Sequence, residues 1–233
     1  ARMVSTIDDI SGGRCGLNIV TGWNRPEYAQ MGMWPGDEHY QRRYEYAGEY
    51  VQILQALWRD GRATWEGEYF QLDDCSVLPQ PKREIPLVCA GQSPAGRQFV
   101  AEYADHQFVL TSEDNLVTSV KDIRAKAEST GRDVGIYALF HLIVADTDEQ
   151  ARTEVDAIID GADHGAISNI LASADLDTNT GGTADQLKAA LNQSVEAGNM
   201  AFMGIPVIYG SPDTVVGRIE GIVERTGIDG MLF

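Results

Sequence analysis

Residue types that could carry chemistry are concentrated between Asn18 and Tyr44. Asn18 stands inside the apolar run GLNIVT, which predicts a strand over residues 16–21 that is buried on both faces. An unpaired amide buried there would cost about 1–3 kcal/mol, so a backbone group, a water or a ligand must satisfy it. Trp23 and Glu27 follow in a loop rich in Gly, Asn and Pro. The tryptophan could cover a flat ligand or join the core, whereas the glutamate by itself suggests a solvated carboxylate.

Two arginines and a tyrosine open the helix that follows this loop. A guanidinium from Arg42 or Arg43 could bind a phosphate through two parallel hydrogen bonds, or it could pair on the surface with Glu38 or Glu45. Tyr44 lies on the apolar face of the helix by spacing, which by itself indicates a core residue.

A second candidate is the segment Gly91-Gln92-Ser93-Pro94, which joins a predicted strand to a predicted helix. Serine before proline is typical of a helix start, where free N–H groups and the hydroxyl suit an anion. Many strand-to-helix turns have this composition without binding a ligand.

Apolar spacing predicts the elements that position these side chains. The predicted strands are 16–21, 85–90, 106–110, 137–145 and 228–233, with a small hairpin at 64–79; the predicted helices are 1–10, 39–60, 93–104, 111–131, 148–160 and 211–226. Their predicted inward faces carry Ile7 and Ile10; Tyr44, Ala47, Val51, Leu54 and Trp58; Leu116, Val120, Ile123 and Ala127; and Val215, Val216, Ile219, Ile222 and Val223.

Alternation of strands and helices predicts a parallel α/β sheet. A complete (β/α)8 barrel takes about 250 residues, so five strands predict a partial barrel, with an open flavodoxin-like sheet as the alternative. We expect one domain over residues 1–233, truncated at both ends, because the chain opens on Ala1 and stops within an apolar run. The polar stretch 164–204 breaks the pattern and is interpreted as an insertion or lid.

Composition narrows the classes of function. The formal charge is −17 at pH 7, which repels phosphate backbones and anionic membranes and favours a small ligand or a protein partner. Three scattered cysteines predict neither a disulfide framework nor a metal site. No run of about 20 apolar residues and no signal-peptide pattern is present, so we expect a cytoplasmic protein. Neither a dinucleotide-binding glycine motif nor a metal-spaced histidine pair occurs.

A long motif adds a resemblance to these observations. The run SGGRCGLNIVTGWNRPEYAQMGMWPGDEHYQRRYEY, together with CAGQS at 89–93, resembles the bacterial luciferase-like flavin-dependent monooxygenases. Within that family it is most similar to the pyrimidine monooxygenases, which open the uracil ring with reduced FMN and O2. The resemblance implies a TIM barrel in which the first strand here is the fourth of eight.

Site residues and partners follow from the resemblance. It implies FMN contacts at Asn18, Glu27, Arg43, Tyr44 and Ser93, with Asn18 and Trp23 beside the place where O2 meets the reduced flavin. It further implies an oxygenase component that receives FMNH2 from a separate NAD(P)H-dependent reductase, and we expect a homo-oligomer.

Alternatives stay open at this point. The substrate could be a sulfonate, sulfone, chelate or halogenated aromatic, or the chain could bind flavin without catalysis.

Overall fold

The centre of the molecule is a parallel sheet of five strands. In the computed structural model, which describes residues 1–22, 24–174, 201–202 and 204–233, these strands are ordered β1-β4-β5-β6-β10. The strands are β1 (Leu17–Ile19), β2 (Arg62–Glu66), β3 (Gln71–Ser76), β4 (Leu87–Cys89), β5 (His106–Val109), β6 (Gly135–Leu139), β7 (His141–Val144), β8 (Ala201–Phe202), β9 (Ile205–Gly210) and β10 (Gly230–Leu232).

Helices follow most of these strands. They are α1 (Arg2–Ser11), α2 (Arg25–Ala29), α3 (Asp37–Gln41), α4 (Arg43–Asp60), α5 (Pro94–Tyr103), α6 (Glu113–Ser129), α7 (Asp148–Asp160), α8 (His164–Ala174) and α9 (Pro212–Thr226). No helix in this described part of the chain has the length and apolarity needed to cross a bilayer.

The two faces of the five-stranded sheet differ in burial. Cys89, Val109 and Ile136 point to one face and form a single core with α4, α5, α6 and α9. On the opposite face, Val88 and Tyr137 are only partly buried. Helices on one face and strands in chain order are the arrangement of a barrel segment, because a doubly wound sheet carries helices on both faces. The sheet is open: in the described ranges β1 pairs only with β4, and β10 only with β6.

Helical periodicity correctly predicted α4 and α6. The four predicted inward residues of α6 are each at most 3% exposed, and the same face of α4 is buried, with Tyr44 partly buried against the core. The predicted inward face was wrong in α1 and only partly correct in α9, where Val215 and Ile222 are buried. Ile7 and Ile10 are 50% and 81% exposed while Ser5 and Asp8 are buried, and Val216 and Val223 are 53% and 39% exposed.

The single strand predicted over 137–145 is in fact two strands. Phe140 is buried, and its N–H donates to the carbonyl of Leu232 at the end of the main sheet. The chain then leaves that sheet, and β7 pairs in parallel with β9 in a second sheet of order β7-β9-β8. The sequence interpretation missed β9 altogether, and it treated 22–38 as loop where α2 and the start of α3 lie.

Only part of the predicted lid can be described. Residues 164–174 form α8 and residues 201–202 form β8, the latter antiparallel to β9. Residues 175–200 and 203 lie outside the described part of the chain.

A buried carboxylate ties α6 to α9. Glu113 is 4% exposed, and its two oxygens accept hydrogen bonds from Arg218 and Arg225. Burial of the carboxylate is tolerated because both oxygens have cationic partners.

We therefore expect Glu113→Ala to lower the free energy of unfolding by about 2 kcal/mol, since the freed arginines are half-exposed and can be rehydrated. Urea unfolding measures this loss. Asp114→Ala is the matched control: Asp114 is exposed in the same first turn, so it shares the helix-dipole effect without the ion pairs. Equal losses in the two variants would contradict the role of the ion pairs.

Candidate active site

Tyr44 meets the turn after β4 at a pair of glycines. A Cβ on Gly91 would lie 2.8 Å from the Cα of Gly96 and 3.0 Å from the Tyr44 hydroxyl oxygen. A Cβ on Gly96 would lie 2.6 Å from the same hydroxyl. The ring of Tyr44 packs at 5.7 Å from the ring of Phe99 in α5. The first turn of α4 and the start of α5, far apart in sequence, are thus brought together at the carboxyl edge of the sheet.

Ser93 caps α5 as the sequence predicted. Its Oγ accepts a hydrogen bond of 3.1 Å from the N–H of Gly96, and Pro94 occupies the first helical position. The side chain is buried, and its hydroxyl hydrogen is still available to a ligand. The amino end of α5 adds a partial positive charge.

Only one of the two adjacent arginines faces inward. Arg43 is 6% exposed, donates to the carbonyl of Tyr40 at 2.7 Å, and lies over the rings of Tyr40 and Tyr44 at 4.1 and 4.9 Å. Arg42 points outward and pairs with Glu45 and Glu68. The sequence left two alternatives for these arginines, a surface ion pair and an inward-facing guanidinium. Arg42 adopts the first and Arg43 the second.

Contacts between tilted aromatic rings connect the loop before α4 to Arg43. The rings of Tyr28 and Trp34 are 6.2 Å apart, those of Trp34 and Tyr40 are 5.3 Å apart, and Arg25 lies over Trp34 at 5.6 Å. Such contacts order a loop in which few apolar side chains are buried. They give Arg43 a defined position.

Glu27 lies apart from this group. Its side chain is exposed and accepts a hydrogen bond of 2.7 Å from Nδ2 of Asn24. None of the hydrogen bonds and ion pairs found in the described residues joins it to Tyr44 or Ser93. Trp23, the other loop residue predicted to contact the ligand, lies outside the described residues.

The predicted burial of Asn18 is wrong. Its side chain is exposed, because β1 is an edge strand that pairs only with β4 in the described ranges. Asn18 pairs in register with Val88, on the face opposite the helices. Its position on that open face still allows it to contact a ligand.

The buried amide of the sheet is Gln107, which the sequence interpretation overlooked. It is 1% exposed, and its Nε2 donates to the carbonyl of Gly91 at 2.8 Å. The signal was present in the sequence, since a glutamine interrupts the apolar strand HQFVL just as Asn18 interrupts GLNIVT. It belongs to the support of the candidate site.

Cys89 stands two residues before Gly91 and is an unsuitable nucleophile. Burial raises the pKa of its thiol to about 12, so the thiolate is absent at neutral pH. Nor does the described part of the chain hold a cluster of three metal-ligating side chains. The donors at the glycine pair are the hydroxyls of Tyr44 and Ser93 and the amino end of α5, and the Arg43 guanidinium lies over the Tyr44 ring. Groups of these types suit an anion.

Acidic residues line the cleft on the outer side of Tyr44. It has a volume of about 520 Å3 between α4, the β2–β3 hairpin and α5, and its lining includes Glu45, Glu49, Glu68 and Glu102. Because carboxylates repel an anion, this cleft is unsuited to one, and the hydroxyl end of Tyr44 at the glycine pair is better suited.

A known protein family matches almost the whole chain. The family model described as luciferase-like monooxygenase matches residues 1–230. The chain belongs to the luciferase-like monooxygenase family. Pyrimidine monooxygenase RutA of Acinetobacter baylyi is 44% identical to this family member over 236 residues, which cover 100% of the chain and 63% of the relative. The chain therefore spans less than two thirds of the length of that relative.

Solved structures show the same fold for this luciferase-like chain. The crystal structure of riboflavin lyase RcaE, with modified FMN and riboflavin, superposes with a TM-score of 0.81 at 23% identity, covering 98% of this chain and 61% of that one. EDTA monooxygenase EmoA from Chelativorans sp. BNC1 has a TM-score of 0.79 at 20% identity, with 99% and 63% covered. The predicted fold class, a segment of a luciferase-type TIM barrel, is confirmed.

The glycine pair generates a prediction. Gly96→Ala should lower the free energy of unfolding by about 1–3 kcal/mol, because its Cβ would overlap the Tyr44 hydroxyl and the backbone of Gly91. Gly217→Ala in α9 is the control: nothing lies within 4 Å of its Cβ, and alanine is favoured over glycine in a helix by about 1 kcal/mol. Thermal unfolding should shift in opposite directions for the two variants. A stabilised Gly96→Ala would contradict the close contact.

Proposed function

We propose that this chain is the oxygenase component of a two-component monooxygenase, which uses reduced FMN and O2 to oxidise a small heterocycle such as uracil. The observation that carries this proposal is the contact of Tyr44, which the Arg43 guanidinium covers, with the turn where Ser93 caps α5, in a chain 44% identical to a pyrimidine monooxygenase. The first two come from α4 and the third from the turn after β4. The resemblance assigned these three residues, together with Asn18 and Glu27, to FMN.

The donors fit the phosphate of FMN. Arg43 supplies a full positive charge, Tyr44 and Ser93 supply hydroxyl hydrogens, and the amino end of α5 supplies a partial charge. A local cation matters in this protein, because its overall charge of −17 opposes an anionic cofactor.

Asn18 and Glu27 are proposed to act at the flavin-ring end. Asn18 lies on the open face of the sheet, where its amide could hydrogen-bond the ring or the substrate. Glu27 lies in α2, within the connection that follows β1, and this connection leaves the same carboxyl edge of the sheet as the turn that holds Ser93. Trp23 is proposed, from its position in the motif, to border the same end of the flavin. Bound reduced flavin would supply the oxygen-activating chemistry. The protein would bind it, orient the substrate and exclude water.

The source of the reduced flavin is proposed on the same basis. FMNH2 would come from a separate NAD(P)H-dependent flavin reductase that binds transiently. The homo-oligomeric state and the cytoplasmic location predicted from the sequence stay predictions.

Anaerobic titration with FMNH2, followed by an O2 pulse in the presence of uracil, tests this function. We expect tight binding of the reduced flavin and a protein-dependent product of an opened ring. Turnover of a sulfonate, chelate or halogenated aromatic instead of uracil would assign the chain a different substrate class for the same type of reaction. Flavin binding without any product would indicate a non-catalytic relative.

Arg43→Ala should weaken binding of reduced FMN by about 2–4 kcal/mol, because the phosphate would lose its charged partner. Anaerobic fluorescence titration measures this affinity. Arg42→Ala is the matched control, since that neighbouring guanidinium faces Glu45 and Glu68. Equal affinity for reduced FMN in the wild type and in Arg43→Ala would show that Arg43 does not bind the phosphate.

Asn18→Ala should reduce turnover more than flavin affinity, because the side chain is assigned to the reacting end of the cofactor. Its exposure means that stability should change by no more than about 0.5 kcal/mol. Single-turnover oxidation and flavin titration separate the two effects. Equal losses of turnover and of flavin affinity would mean that Asn18 serves only to bind the flavin.

A further inference from the structure

Gln107 is a buried polar side chain that the proposed site does not use directly. It is 1% exposed and occupies the helix-facing side of β5, in register with Cys89 of β4 and Ile136 of β6. Its Oε1 is buried and has no hydrogen-bond partner among the described residues. An apolar side chain of similar size would avoid that desolvation penalty, so stability by itself does not explain a glutamine here.

The amide of Gln107 adds a hydrogen bond between β5 and the turn after β4, beyond the last backbone pair of the two strands. The ladder ends at the pair Cys89 and Gln107. Two residues later, the carbonyl of Gly91 accepts a hydrogen bond of 2.8 Å from Nε2 of Gln107. A side chain of the neighbouring strand thus fixes the turn that leads into α5.

Fixing the Gly91 carbonyl also fixes the groups beyond it. Gly91 lies directly against Gly96 and the Tyr44 hydroxyl. Ser93, two residues on, caps α5 through the N–H of the same Gly96. A shift of Gly91 would therefore move the hydroxyls of Tyr44 and Ser93 relative to each other.

We propose that Gln107 is a positioning residue for the phosphate end of the flavin. It holds the Gly91 carbonyl so that Tyr44, Ser93 and the amino end of α5 converge on one anion. This inference rests on the proposed function, because it assumes that the anion is the phosphate of FMN.

Comparison of FMN with riboflavin isolates this role, since riboflavin lacks the phosphate. Gln107→Met keeps the length and approximate volume of the side chain and removes the donor. We expect it to raise the dissociation constant for FMN by about tenfold, the equivalent of about one hydrogen bond, and to change that for riboflavin by less than about twofold. Quenching of flavin fluorescence by the 233-residue chain measures both constants. Gln107→Leu, a second donorless variant of different shape, should behave in the same way.

Val109→Ala is the matched control. Val109 lies two residues along β5 on the same face and is 2% exposed, but it makes no hydrogen bond to the turn through its side chain. We expect it to lower the unfolding temperature while the preference for FMN over riboflavin stays unchanged.

The possible results separate the two proposals. A wild-type preference for FMN that survives in Gln107→Met and Gln107→Leu would overturn the positioning role and leave the phosphate site intact. An equal loss of preference in Val109→Ala would also overturn it, because general loosening of the strand would then be the cause. A wild type that binds riboflavin as tightly as FMN would overturn the phosphate site itself.

Discussion

The close approach of Gly91 and Gly96 is the constraint on which the candidate site depends. Two backbones can lie this near only where neither residue carries a Cβ, because the added carbon would come within 2.8 Å of the facing residue's Cα. The space left beside them is occupied by the Tyr44 hydroxyl. The strand end, the start of α5 and the first turn of α4 are thereby held in one arrangement.

Helices and their first residues could largely be predicted from the sequence, because the signals are local. Ser93 and Thr147 accept hydrogen bonds from the backbone N–H three residues on, as expected of caps. The apolar stripe of α6 is buried throughout. Periodicity failed where only part of a face is covered: Ser5 is buried in α1 while Ile7 is exposed. Which part of an apolar face is covered depends on the neighbouring elements, and spacing along one helix does not contain that information.

The prediction of a buried amide was likewise sound in its local chemistry but was made for the wrong strand of the fold. The expectation that an amide inside an apolar strand must find a partner is physically sound. It was applied to Asn18, which is exposed on an edge strand, whereas Gln107 of a central strand is the residue that is buried and hydrogen-bonded. Only the strand order distinguishes the two, because a central strand has neighbours on both sides. The convergence of Tyr44 with the turn around Ser93 likewise required the fold, since Tyr44 and Gly96 are 52 positions apart in the sequence.

The two adjacent arginines differ in the groups that surround their charges. Arg42 is paired with the carboxylates of Glu45 and Glu68. Arg43 instead lies between the rings of Tyr40 and Tyr44 and donates to a carbonyl, and these partners carry no formal charge. Ring faces and a carbonyl oxygen attract a guanidinium electrostatically, so these contacts fix the position of its charge beside Tyr44. The ring contacts of the loop before α4 therefore have an electrostatic role as well as a structural one, because they hold the charge of Arg43 over Tyr44, whose hydroxyl lies against the start of α5.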